Sequence, residues 1–172
     1  VQELKTGFSE SENENSAILA TEEEREPKRT NKFYEKLFGG KKVVAVELDP
    51  PADADITKFV KGAKMLKDAG IDILTIADCP IAKARVDSSI LACKIKKELD
   101  LDTLPHITCR DRNINATKAL LLGLNIEGVH NVLIVTGDPI PSAMRDEVKS
   151  VFNFNSRMLA KYISTLNETV FE

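Results

Sequence analysis

The sequence predicts an α/β fold, the N-terminal half of a (β/α)8 TIM barrel with about four β–α units. Three observations lead there. Short apolar, β-branched runs begin at residues 43, 71, 103 and 131, a spacing of about 30 residues, the length of one strand–loop–helix–loop unit. Amphipathic helical stretches lie between the runs. Each run also ends on polar residues, at the end where a barrel of parallel strands assembles its active site. Eight such units would need about 240 residues, so four units in 172 residues correspond to half a barrel.

Residues 1–31 stand apart from this pattern. They are polar and acidic, with a run of glutamates at 22–24, and they hold too little apolar surface to offset the entropy of ordering. They read as an acidic interdomain linker, disordered or partly helical around residues 17–26. Residues 32–172 read as the partial barrel. Because it does not begin with Met, the chain is expected to be a fragment or a processed product.

A first helix carries Phe33, Leu37 and Phe38 on one side and stops at Gly39 and Gly40. The first strand is 43–48 (VVAVEL), followed by a helix with Ile56, Phe59, Val60, Ala63 and Leu66 inward and Gly70 at its end. The second strand is 71–77 (IDILTIA), and Ile90, Leu91, Ile95 and Leu99 mark the helix after it. The third is 103–109 (TLPHITC), followed by a helix capped by Asn113 or Asn115, bearing Ala119, Leu120 and Leu122 and ending near Gly128. The fourth is 131–136 (NVLIVT), and Met158, Leu159, Tyr162 and Ile163 define the helix that follows. Apolar runs bounded by Pro and Gly suit strands buried in a parallel sheet. A doubly wound dinucleotide fold is disfavoured, because residues 47–51 (ELDPP) hold two prolines where a phosphate would need backbone N–H groups.

Composition narrows the classes further. A net charge of −3 gives no basic field for nucleic acid or for an anionic membrane. No apolar run approaches the roughly 18 residues of a membrane span. Cys79, Cys93 and Cys109 are too few and too irregular for a disulfide framework or a zinc site, and read as free thiols in a reducing, cytoplasmic compartment. Metal ligands are not expected.

The strand ends carry the candidate chemistry: Glu47; Thr75 with Asp78; His106 with Thr108; Thr136 with Asp138. Glu47 interrupts an apolar run. A carboxylate at a barrel mouth is partly desolvated, which raises its pKa toward neutrality and suits it to general-acid work; the alternative is a salt bridge to a lysine. His106 either hydrogen-bonds a ligand or is a core imidazole satisfied by a backbone carbonyl. Gly137 lets a ligand approach the backbone, and Asp138 follows it in a Gly-Asp-Pro turn. His130, before the fourth strand, lies at the opposite end and reads as structural. Asp49 and the cluster Arg110, Asp111 and Arg112 read as solvated or capping charges, and Arg85 as a surface residue.

At these residues the sequence resembles the methylenetetrahydrofolate reductase family. The matching pieces are residues 46–51 (VELDPP), 75–80 (TIADCP), 105–109 (PHITC) and 136–139 (TGDP), in the family's order between about Phe33 and Ile163. The first two look closest to the bifunctional type in which a homocysteine S-methyltransferase domain precedes the reductase. The resemblance implies FAD as cofactor, methylenetetrahydrofolate and NAD(P)H as substrates, and a ping-pong transfer of hydride through the flavin. It also implies a full-length protein that is a homo-oligomer or is linked to that methyltransferase domain. Glu47 matches the general acid that opens the folate ring, and Asp138 the aspartate whose charge faces the resulting cation; both would touch substrate. Thr75, His106, Thr136, Gly137 and Asp138 match FAD-contacting positions, with Phe154 and Asn155 beside them. Many members have an arginine where Thr136 stands.

With half a barrel, the chain alone is expected to be inactive, and marginally stable or self-associating. Two rival readings stand beside the reductase: a flavin-independent, aldolase-like lyase of the same barrel class, and a non-catalytic half-barrel that dimerises.

Overall fold

The computed structural model describes residues 31–171, so the expected linker lies outside the described residues apart from Asn31. Nine main elements follow one another: α1 (Lys32–Phe38), β1 (Ala45–Leu48), α2 (Thr57–Asp68), β2 (Ile73–Ile76), α3 (Ser88–Leu99), β3 (Thr103–Thr108), α4 (Ile114–Ile126), β4 (Leu133–Val135) and α5 (Ser156–Thr169). The strands form one sheet in the order β1-β2-β3-β4, every neighbouring pair parallel. That sequential parallel order, with a helix in each crossover, is the half-barrel expected.

Side-chain oxygens start the helices where the sequence offers them. Asn31 accepts the Tyr34 N–H, Asp87 those of Ser89 and Ile90, Asn113 that of Ala116 and Asn155 that of Met158. Of the two asparagines considered for α4, Asn113 is therefore the cap. Asn31 also exchanges reciprocal amide hydrogen bonds of 2.8 and 3.2 Å with Asn131, which ties α1 to the start of the fourth unit.

The strands are shorter than their apolar runs. Asp72 lies just before β2, its N–H bonding the Val44 carbonyl at 2.9 Å while its carboxylate accepts the Val44 N–H at 2.8 Å and pairs with Lys36. The hydrogen bond from Lys36 holds that carboxyl below the usual carboxylate range. Asn131, before β4, pairs its side chain with that of Asn31.

Alternation along the strands divides the sheet into two faces. Leu74, Ile76 and Ile107 point outward into a core shared with Phe59, Ala63, Leu91, Ala92, Ile95, Leu121, Leu124, Leu159 and Leu166. Fully burying each large aliphatic side chain contributes about 1.5–3 kcal/mol, so this layer holds the helices on the sheet. Four expected helix faces are corrected. In α4 the buried residues are Thr117, Leu121 and Leu124, while Ala119 and Leu122 are exposed; an unbroken apolar stretch gives its period no face to choose. Ile90 of α3 and Met158 of α5 also face outward, and α1 buries none of its residues fully. Its Tyr34 and Phe38 rings pack on each other instead, 4.2 Å between centroids.

The inner face, which would line a closed barrel, carries Ala45 and Glu47 from β1, Ile73 and Thr75 from β2, Leu104, His106 and Thr108 from β3, and Leu133 and Val135 from β4. Register sets these side by side, as Glu47↔Thr75, Thr75↔Leu104, His106↔Leu133 and Thr108↔Val135. The outer edges of β1 and β4 have no strand partner among the described residues. Leu133 on β4 is 41% exposed. No helix among the described residues is long and apolar enough to cross a membrane.

Candidate active site at the strand ends

Two strands apart on the inner face, Glu47 and His106 converge. Glu47 Oε2 lies 3.5 Å from His106 Nε2, with Thr75 of the intervening strand beside Glu47 in register. The His106 side chain is 13% exposed, and its Nε2 is buried without a hydrogen bond to any described residue. Burial pushes the imidazole below its ordinary pKa, against the upward pull of Glu47, Asp78 and Asp49, so the ring is neutral at neutral pH. The expected desolvation of Glu47 is not found. Its side chain is 55% exposed, because β1 is an edge strand among the described residues and none of their strands covers it.

Behind this pair lies a buried ionic network. Asp78 closes β2 and its Oδ2 accepts three hydrogen bonds: the Thr108 N–H at 3.0 Å, the Thr108 hydroxyl at 2.9 Å and Arg112 Nη1 at 2.9 Å. Arg112 Nη2 reaches Asp87, the cap of α3, at 2.6 Å. One guanidinium thus joins the end of β2, the end of β3 and the start of α3.

Gly137 has φ +95°, and a Cβ there would lie 3.0 Å from Thr108 Cβ and 3.3 Å from Arg110 Cβ. The space expected to admit a ligand is taken, on that side, by Thr108 and Arg110. Asp138 Oδ2 accepts the Ile81 N–H at 2.8 Å. Thr136 points away from the inner face and bonds Ser156, hydroxyl to hydroxyl at 3.1 Å, while its oxygen accepts the Ser156 N–H at 3.2 Å. Asn155 caps α5, and Phe154 stacks on Tyr162 with centroids 5.3 Å apart. The structure therefore brings Glu47, Thr75 and His106 together, sets Gly137 and Asp138 at the next strand end, and engages Thr136, Phe154 and Asn155 with the start of α5.

The reading of the 110–112 cluster as solvated or capping charges is overturned for its two arginines, while Asp111 stays exposed. The Arg110 side chain is 3% exposed and Arg112 is largely buried. Arg85 is half-buried, with its Nε buried and unbonded among the described residues. The partners of Arg112, Asp78 and Asp87, lie 34 and 25 residues away in sequence. The one available signal was the concentration of Asp and Arg at successive strand ends. His130 precedes β4, at the end of the sheet opposite the site. The three cysteines are unpaired, and burial pushes each thiol's pKa up. Among the described residues no group of three or more His, Cys, Asp or Glu side chains is placed to hold a metal ion.

A sequentially ordered parallel half-barrel with a carboxylate–imidazole pair and an aspartate turn at its strand ends places the chain among the α/β-barrel enzymes. Residues 32–170 match the family described as Methylenetetrahydrofolate reductase, and the chain belongs to that family. Membership gives it the family's chemistry in general terms, reduction of a folate, and the family generally binds FAD. No curated protein matches the sequence.

Proposed function

We propose that this segment forms the acid-bearing half of a flavin-dependent site that reduces 5,10-methylenetetrahydrofolate to 5-methyltetrahydrofolate with NAD(P)H. The observation that carries the reading is the Glu47–His106 pair on the inner face, within a chain whose family match spans residues 32–170. The residues fit the cofactor in one testable respect: His106 Nε2 is a buried polar atom with no hydrogen bond, which an arriving polar group would satisfy. Thr75, His106 and Asp138 would hold FAD from the strand ends, with Thr136 and Gly137 shaping the fourth strand end through their backbone and Phe154 and Asn155 bordering it. When bound, FAD supplies the hydride relay between the nicotinamide and the folate.

The chain's own residues supply the rest. Glu47 donates a proton to the folate ring nitrogen as the five-membered ring opens, which makes the methylene carbon an electrophile. Asp138 places a negative charge opposite the cation so formed. The neutral His106 imidazole lies beside Glu47 and offers its unbonded Nε2 to a ligand without adding positive charge to that face.

With β1 and β4 open and Glu47 half in solvent, four units alone lack the desolvation this chemistry uses, so we propose that the chain by itself does not turn over folate. Residues 1–31 would be the linker that joins this unit to a homocysteine S-methyltransferase domain in a bifunctional, cytoplasmic protein. Titration of the purified chain with FAD tests the cofactor half of the reading. A shift of the flavin absorbance band that His106→Leu weakens supports it. An unchanged flavin spectrum, both here and in a closed barrel carrying this segment, would favour a flavin-independent enzyme.

A further inference from the structure

Arg110 stands where the loops after β2, β3 and β4 meet. Its guanidinium is almost wholly buried, and Nη2 donates to the Cys79 carbonyl and Nη1 to the Asp138 carbonyl, each at 3.4 Å. Asp111 neutralises it from the adjacent position, at 3.0 Å to Nε and 2.7 Å to Nη2. The Arg110 carbonyl in turn accepts the Val151 N–H at 2.7 Å. One residue therefore touches the turn after β2 and both limbs of the loop after β4.

The turn after β2 is the strained part of this assembly. Cys79, Ile81 and Ala82 have φ of 46°, 51° and 55°, left-handed backbone that non-glycine residues avoid. Such a conformation persists only where its surroundings over-determine it. Besides the turn's own Lys83 N–H to Pro80 carbonyl bond at 3.2 Å, two bonds from outside it do so: Arg110 to the Cys79 carbonyl, and the Ile81 N–H to Asp138 Oδ2 at 2.8 Å. The result sets Ile81, 61% exposed, beside the Asp138 carboxylate at the strand ends.

We propose that Arg110 is a positioning residue for Asp138: by bridging the Cys79 and Asp138 carbonyls it locks two loops in one register, with the Asp138 carboxylate latched on the Ile81 N–H. The planar guanidinium spans two carbonyls at once, which a lysine ammonium on a flexible stem does not. Asp111 balances the charge, so Asp138 is held through its main chain and its Oδ1 stays outside these bonds. The latch stands on loop geometry alone; that it aims a charge at a folate cation rests on the proposed function.

Hydrogen exchange on the whole chain, read at the Ile81 amide, tests it. Arg110→Met is expected to speed Ile81 exchange by up to about tenfold, the order expected from losing one hydrogen bond of ordinary net strength, with the core amides of Leu74 and Ile107 unchanged. Asp138→Ala should do the same, Asp138→Asn, which keeps an acceptor, should stay close to wild type, and Arg110→Lys should fall between. Trypsin cleavage after Lys83 and Arg85 should follow the same order. Unchanged Ile81 exchange in Arg110→Met, or an equal rise at Leu74 and Ile107, overturns the proposal. If Arg110→Met does not fold, Arg110→Lys decides: wild-type exchange at Ile81 counts against the latch. None of these readings involves flavin, so failure of FAD to bind would leave them standing.

Discussion

Glu47 and His106, from the first and third strands of a parallel sheet, place a carboxylate oxygen and an imidazole nitrogen 3.5 Å apart on the face that would line a closed barrel. The pair is lopsided. The carboxylate is half in solvent, and the imidazole is largely buried, with its Nε2 fully so and unbonded among the described residues.

That asymmetry sets a pH dependence. His106 titrates below its unfolded value, near 6.5, because burial disfavours the charged ring. As pH falls through about 6.5 the unfolded chain takes up the proton first, so stability present above that pH is lost on acidification. His106→Gln should flatten the acid limb of a urea-midpoint profile. Glu47→Gln removes the leading upward pull and should move the imidazole titration, followed by NMR, to still lower pH. Upward movement would mean that Glu47 does not act on His106.

Gly137→Ala should destabilise the chain by about 1–3 kcal/mol, from a left-handed φ and the forced displacement of Thr108. Gly123→Ala, where an added Cβ meets nothing within 4 Å, is the matched control and should be neutral or stabilising. Denaturant midpoints of the two variants measure the difference.

Asp78→Ala should cost about 3–5 kcal/mol, because it leaves the Thr108 N–H without its acceptor and Arg112 with one carboxylate in place of two. Glu98→Ala, which removes the exposed partner of Lys94, should cost less than about 1 kcal/mol. Equal losses in the two variants would show that the Asp78 network is no more than surface charge.

Much of this was legible in the sequence. Four apolar runs about 30 residues apart specified the number, order and parallel sense of the strands, because a strand plus its crossover helix needs that length. Glu47 could be singled out because it breaks an apolar run, and Asn113 because helix starts want such a side chain. The inner network was not legible. Arg110 and Arg112 sit among charges at the end of β3, and nothing local distinguishes a solvated arginine from one whose carboxylates arrive from elements 25 and 34 residues away. Nor could the sequence show that Gly137 makes room for Thr108.

The open edges of β1 and β4, and Leu133 exposed on the inner face, predict self-association of the isolated chain. Light scattering at micromolar concentration should report a dimer or larger species, and Leu133→Lys should shift it toward monomer. A strictly monomeric wild-type chain would contradict this.

Glu47 is proposed here as the proton donor of a flavin-dependent folate reduction. The most direct test of that role is a pair of anaerobic half-reactions in a protein that closes this segment with four further β–α units, followed by flavin absorbance. Glu47→Gln should leave reduction of the flavin by NAD(P)H within about threefold of wild type, while reoxidation by methylenetetrahydrofolate falls by at least about a hundredfold, the range of general-acid catalysis. Folate-driven reoxidation at the wild-type rate, or equal loss of both half-reactions, would contradict the account.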